Sequence, residues 1–260
     1  LFFGDGWLPR DNGHLEIIKA DVRDTRAWLD AVDGQDAVIY MASISRELMC
    51  QQNKALAQEI NITAFAPAIE AARRHGVQRF IYASSVAVYG SSDHDAKEDE
   101  PLNPTTIYGR GKAACEEIMW ANNTDGFCCT AIRSASVCGY SPRQRLDLTV
   151  NRMVHDAYRK GVITVEGGSQ KRSHVHIQDL CDFYRLLMTA DRQDIAGQAF
   201  NVVKENQTVY GTAAMIANLV DNVSIYIKPR VDDRSYSVDG SKTRRLLGWH
   251  PVREISQAVR

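Results

Sequence analysis

Apolar residues in the first half of the chain come in short continuous blocks separated by amphipathic stretches. Ala37-Val-Ile-Tyr-Met-Ala42 is one such block, the pattern of a strand covered on both faces. Gln78 to Ala83 and Cys128 to Ala135 repeat it, and the short β-rich run Leu15-Glu-Ile-Ile-Lys-Ala20 predicts a further strand. Between the blocks the spacing predicts a helix over Thr25–Val32 capped by Asp24, and another over Gly109–Asn122. A long helical stretch is predicted from about Asn53 to His75, stopped by Gly76 and kinked or split at Pro67. Strand and helix thus alternate with short connections. That order predicts an α/β chain with a parallel sheet, helices on both faces and right-handed crossovers.

After about Ser141 the texture changes. Helices are predicted near Leu146–Lys160, Gln178–Ala190 and Val209–Val220, with strands at Ala199–Val203 and Ser224–Lys228. A last helix, Ser241–Leu247, is closed by Gly248. This mixed half is expected to form a smaller lobe over the sheet. The polar segment Ser91–Pro104 reads as an exposed loop.

Composition narrows the function. The formal net charge of -1 offers no basic excess to hold a phosphate backbone, so nucleic acid is not an expected partner. No apolar run reaches the roughly 20 residues that span a bilayer, and the opening Leu1-Phe2-Phe3-Gly4 has no basic leader, so neither a membrane span nor a signal peptide is expected. The six cysteines are scattered without a Cys-x-x-Cys pair. They read as buried free thiols in a reducing compartment, and vicinal Cys128-Cys129 as small core residues. A cytoplasmic protein is expected.

Tyr108-Gly-Arg-Gly-Lys112 is the sharpest chemical feature. Residues four apart share a helix face, and an ammonium beside a phenol favours the phenolate, which predicts a lowered pKa and a general acid or base. By itself this spacing is most often a solvated surface pair. Upstream, Arg79-Phe-Ile-Tyr-Ala-Ser-Ser-Val-Ala-Val-Tyr-Gly90 runs from a strand into a turn of small residues, and places Ser84 and Ser85 at a strand's carboxyl end, where open α/β sheets bind ligands. His174 and His176 alternate on a strand, point to one face and read as packing histidines rather than a metal pair.

Together these segments resemble the extended short-chain dehydrogenase/reductases, the NAD-dependent epimerase/dehydratase family, in its UDP-glucose/galactose 4-epimerase-like branch. The resemblance runs from about Asp21 to Pro251. It implies a Rossmann-type doubly wound sheet in residues 1–140, and a substrate-binding lobe mainly in 141–260 from which some segments return to the sheet. It implies Ser85, Tyr108 and Lys112 as the catalytic set. Around NAD it places Asp21 and Val22 near the adenine, Met41, Ala42 and Ser43 along the cofactor, Asn61 and Ser84, and Ala135 at the nicotinamide, besides Tyr108 and Lys112. For a nucleotide-sugar substrate it implies Ser85, Ser136 and the guanidinium groups of Arg172 and Arg234, which suit phosphate. A homodimer joined through the helices of Asn53–His75 and Gly109–Asn122 is the family's usual assembly.

The chain departs from the family in two places. The Gly-x-x-Gly-x-x-Gly loop that holds the pyrophosphate is absent, and Leu1 resembles the segment just after the second strand. About 40 residues, one strand–helix–strand unit, are therefore expected to precede Leu1. Without that unit, the strand at Val38–Met41 is expected to carry an open edge and NAD affinity to be poor. After Ser85 stand Val86 and Ala87, where dehydrating and decarboxylating relatives need acids and some reductases a cysteine. What remains is the epimerase pattern, with metal-free NAD chemistry at a sugar hydroxyl. An NADPH-dependent ketoreductase and a non-catalytic nucleotide binder remain open alternatives. Ser136 replaces the family's substrate asparagine, so sugar contacts are expected to differ.

Overall fold

The computed structural model describes residues 15–229 and 235–259. Leu15–Ala20 forms no strand, because it meets no second strand to pair with among the described residues. Helix α1 (Thr25–Val32) starts where expected, with the Asp24 carboxylate accepting from the Arg26 amide. Strand β1 (Ala37–Tyr40) follows. Among the described residues it pairs on one side only, and Ile39 and Met41 are 36% and 56% exposed, so it is not the doubly covered strand its composition predicted.

Helix α2 (Glu47–Gln52) comes first, and the stretch expected as one kinked helix is three pieces: α3 (Lys54–Gln58), a π-helical turn at Glu59–Thr63 and α4 (Phe65–Arg74). Pro67 is not the breaker. It lies in the first turn of α4, where its missing N–H would have no partner within the helix. Asn53, where the stretch begins, caps α3 through its side chain, and the break comes at the π turn. Gly76, at φ +77°, follows the last turn of α4.

Next come β2 (Arg79–Ser85), β3 (Asp95–Ala96), α5 (Ile107–Asn122), β4 (Cys128–Ser134) and β5 (Ser136–Cys138). The second half supplies α6 (Thr149–Lys160), β6 (Val162–Glu166), β7 (Lys171–His176), α7 (Ile177–Thr189) and α8 (Arg192–Ile195). It continues with β8 (Gln198–Val202), β9 (Glu205–Thr208), α9 (Val209–Ala217), β10 (Ser224–Lys228), β11 (Ser237–Val238) and α10 (Ser241–Leu247). The main sheet is β1-β2-β4-β8, every pair parallel, so β8 returns to it from the second half of the sequence. This is a Rossmann-type α/β arrangement.

Strand alternation sorts the core. Phe80 and Tyr82 of β2, with Cys129 and Ala131 of β4, join Phe65 and Ile69 of α4 and Cys115 and Met119 of α5. Ile81 of β2 and Cys128 and Ile132 of β4 face the other way, onto Phe183 and Leu187 of α7. Both faces of the central strands are therefore buried, and each large apolar side chain removed from water contributes roughly 2 kcal/mol. A third cluster, with Val150, Met153, Ile163, Val165, Ala213 and Ile216, holds α6 and α9 against β6 and β10.

Two further expectations need correction. Ser91–Pro104 is not wholly an exposed loop: β3 pairs with β11, Ala96 is buried, and the Ser92 amide donates to the Ser235 carbonyl. Its backbone groups find partners more than 130 residues away, which local polarity does not reveal. Five of the cysteines are buried free thiols, but Cys181 lies exposed on α7. Among the described residues no helix is long and apolar enough to cross a membrane.

Candidate active site

The carboxyl ends of β2 and β4 and the start of α5 meet at a cavity of about 520 Å³. Ser85, Tyr108, Ala135, Ser136 and Arg172 all line it. Ser85 is the last residue of β2, and its Oγ accepts from the Ala87 amide at 3.2 Å, which fixes the tight turn that follows. Tyr108 is in the first turn of α5. Thr106 caps that helix through the Gly109 amide, and the carboxylate of Glu47 accepts from the Ile107 and Tyr108 amides at 3.1 and 3.0 Å. The first orphan N–H groups of the helix are thereby satisfied.

The Ser85 hydroxyl and the positive charge of Arg145 both act on the Tyr108 phenol. Both pull its pKa down, but burial outweighs them and the net shift is upward. The lowering expected from Lys112 is therefore not what the structure shows. The ammonium lies 5.5 Å from the Tyr108 ring centre and 4.7 Å from that of Tyr82, over the rings rather than at the phenolic oxygen. Lys112 donates to the Ala83 carbonyl at 2.6 Å, and burial lowers its own pKa to about 8.

The residues expected around the cofactor divide. Ser84 is turned away from the cavity. It follows Phe80 and Tyr82 on the α5-facing side of β2, and its hydroxyl donates to the buried Glu116 carboxylate at 2.5 Å, so it has no hydroxyl to offer a cofactor. Asn61 sits in the π turn with its amide fully engaged: Oδ1 accepts from the Ile44 amide and the Ser43 hydroxyl, and Nδ2 donates to the Ile44 carbonyl. It clamps the segment after β1 rather than facing a ligand. Met41 is exposed just past β1, and Ala42 packs on the first core cluster. The Asp21 carboxylate is held by Arg23, which lowers its pKa to about 2, and the Val22 carbonyl accepts from the Trp28 indole. None of these lines the cavity. Arg234 lies outside the described residues.

Other wall residues were not legible in the sequence. Arg145 bonds Asp147 through Nε and Nη2 and Ser45 through Nη1, joining the segment after β1 to the one before α6. Arg152 projects from the first turns of α6, and the Arg172 guanidinium stacks 5.0 Å from the Tyr236 ring centre. The only available signal was the run of arginines at 143, 145 and 152, just past a strand end. His174 is buried with neither ring nitrogen bonded, while His176 caps α7 through the Gln178 amide. No group of three metal-ligating side chains occurs among the described residues.

A doubly wound parallel sheet with a strand-end serine, a helix-borne tyrosine–lysine pair and an arginine-walled cavity defines a dehydrogenase/reductase-type α/β protein. The sequence model of the NAD dependent epimerase/dehydratase family matches residues 8–202, and the chain belongs to that family. It is 27% identical over 236 residues to the dTDP-glucose 4,6-dehydratase of Streptomyces griseus, across 87% of this chain and 70% of that enzyme. To the UDP-glucose 4-epimerase of Lactobacillus helveticus it is 26% identical over 242 residues, across 84% and 73% of the two chains. Among solved structures, MoeE5 in complex with UDP-glucose and NAD superposes with a TM-score of 0.82 at 22% identity, covering 93% of this chain and 82% of that one. That likeness is one of fold. NAD is the cofactor of the family.

Proposed function

We propose that the protein is an NAD-dependent epimerase of a nucleotide-linked hexose, acting at the C4 hydroxyl through a transient 4-keto sugar. The observation that carries this reading is the placement of Ser85 and Tyr108 together in the wall of a cavity that also presents Arg145, Arg152 and Arg172. One end can bind and deprotonate a hydroxyl, and the guanidinium groups suit a diphosphate. The two enzymes above, whose names place them on dTDP-glucose and UDP-glucose, support a nucleotide-hexose substrate.

The residues present fit the nicotinamide-ribose end of NAD. Lys112 is a buried ammonium with a single hydrogen-bond acceptor, so two of its three N–H groups are left to bond ribose hydroxyls. Asp21, Val22 and the segment 41–43 held by Asn61 would take the adenosine side. The bound dinucleotide supplies hydride acceptance and return at the sugar carbon. Tyr108, ionised as the phenolate that the positive nicotinamide of bound NAD would favour, takes the C4 hydroxyl proton and later gives it back. Ser85 bonds the same oxygen and relays the proton to the phenol, and Ser136 takes part in holding the sugar. Val86 and Ala87 provide no acid to drive loss of water, which favours epimerisation over dehydration.

The test is incubation of the full-length protein and Tyr108→Phe with NAD and UDP- or dTDP-hexoses, with products separated and weighed. The expected result is a product of unchanged mass and inverted C4, with turnover reduced about 100-fold in the variant. A product lighter by one water makes the protein a dehydratase, and net consumption of reduced cofactor makes it a reductase. A loss under about tenfold in Tyr108→Phe removes the phenol from the base role.

A further inference from the structure

Below the cavity lies a charge pair that the reaction just described does not use. Glu116 and Arg133 are both buried, and Arg133 Nη2 stands 2.7 Å from Glu116 Oε2, with Nε at 3.1 Å from Oε1. Further groups complete their bonding. Ser84 donates to Glu116 Oε1, and Arg133 Nη1 donates to the Tyr89 hydroxyl at 2.7 Å and the Glu98 carbonyl at 3.1 Å. The Tyr89 hydroxyl passes its proton on to Asn201 Oδ1 at 2.8 Å, and the Asn201 amide nitrogen bonds the Ala96 and Asp239 carbonyls.

The placement follows from strand alternation. Phe80, Tyr82 and Ser84 on β2, Cys129, Ala131 and Arg133 on β4, and Ala199 and Asn201 on β8 form three parallel rows facing one way. The apolar members fill the core, and each row ends in a polar residue at the carboxyl edge. Two of these are next in sequence to functional ground, Ser84 before Ser85 and Arg133 before Ser134 to Ser136, and Glu116 lies one turn beyond Lys112 on α5. A pair this buried is costly to desolvate, and apolar residues of like volume often serve stability as well.

We propose that Glu116 and Arg133, with Ser84, Tyr89 and Asn201, form a positioning unit that holds the Ser85 end of β2, the Tyr108–Lys112 face of α5 and the Ser136 end of β4 in one register. The inference rests on the epimerase reading for its kinetics. Glu116 also acts on Lys112 directly, since its charge favours the ammonium against burial; Tyr82, Tyr108 and Cys115 are the other titratable groups around that amine.

The experiment uses Glu116→Gln and the milder Ser84→Ala in the full-length protein. Two readouts are taken: kcat and KM per folded molecule, and titration of the Lys112 amine by NMR with lysine labelled in nitrogen-15, assigned against Lys112→Met. Glu116→Gln is expected to lower kcat about tenfold or more with KM within roughly threefold, and to move Lys112 titration to lower pH. Ser84→Ala, which keeps the charge pair, is expected to lower kcat about threefold while the protein stays folded. If Glu116→Gln does not fold, Ser84→Ala alone decides. Parent-like kcat in Ser84→Ala, or parent-like Lys112 titration in a folded Glu116→Gln, overturns the proposal. If the parent turns over no nucleotide hexose, the epimerase reading fails, while the substrate-free Lys112 titration still decides the positioning role.

Discussion

Gly109 approaches Ala87 so closely that a Cβ on the glycine would stand 2.6 Å from the Ala87 carbonyl oxygen. No rotamer relieves a contact between Cβ and backbone. The start of α5 can press onto the turn after Ser85 only because residue 109 has no side chain, and that closeness sets Tyr108 beside Ser85 in the cavity wall. Gly109→Ala is expected to push the two apart and lower kcat about tenfold to 100-fold while the protein stays folded. Steady-state kinetics paired with a melting curve checks this; unchanged kcat would show that the contact is slack.

Lys112 carries a pH signature. Its pKa falls from 10.5 to about 8 in the fold, so between these values the unfolded chain binds the proton that the native chain has released. The cost of the buried charge is fully present below about pH 8 and is relieved as pH rises toward 10.5. Lys112→Met should therefore stabilise the cofactor-free protein near pH 7 by up to roughly 3 kcal/mol, an advantage that shrinks above pH 8. Urea unfolding at pH 7 and pH 9.5 measures the difference.

His174 acts on the acid side. Burial, helped by the charge of Arg172, lowers its pKa from 6.5 to about 4, and no hydrogen bond compensates the ring nitrogens. The unfolded chain takes up the proton first, so stability present above pH 6.5 is lost as pH falls toward 4. Replacing the imidazole in His174→Phe should flatten that part of the stability–pH curve. An unaltered slope between pH 6.5 and 4 would assign the acid sensitivity to other groups.

Arg152 lines the cavity from an exposed position, and its side chain makes no hydrogen bond or ion pair with another described residue. As a phosphate contact it should act on binding rather than on chemistry. Arg152→Ala is expected to raise KM for the nucleotide hexose about tenfold with kcat within about twofold. Equal losses in both constants would place it in the chemical step instead.

Much of the architecture was legible along the chain because it depends on near neighbours. The Asp24 cap, the strands at 79–85 and 128–134, and the Gly248 stop after α10 follow from side chains and backbone within a few positions, and the structure shows each of them. Helix spacing drew attention to Tyr108 and Lys112 and a strand end to Ser84 and Ser85, and the family resemblance marked Ser85, Tyr108 and Lys112 as the set. Local patterns misled where a partner had to be supplied from far away. Leu15–Ala20 has β-forming residues but no strand among the described residues to pair with, and Asp95–Ala96 looks like loop yet pairs with a strand at 237–238.

Residue types and their periodicity determined the sheet, the helices and the three chemical groups. Only the tertiary structure decided what those groups experience. Whether Lys112 acts at the Tyr108 oxygen or across its ring, whether Ser84 faces ligand or Glu116, and whether Arg145 reaches the cavity are matters of distance and burial between segments far apart in sequence. Electrostatic strength depends on separation and on exclusion of water, and neither exists until the chain has packed.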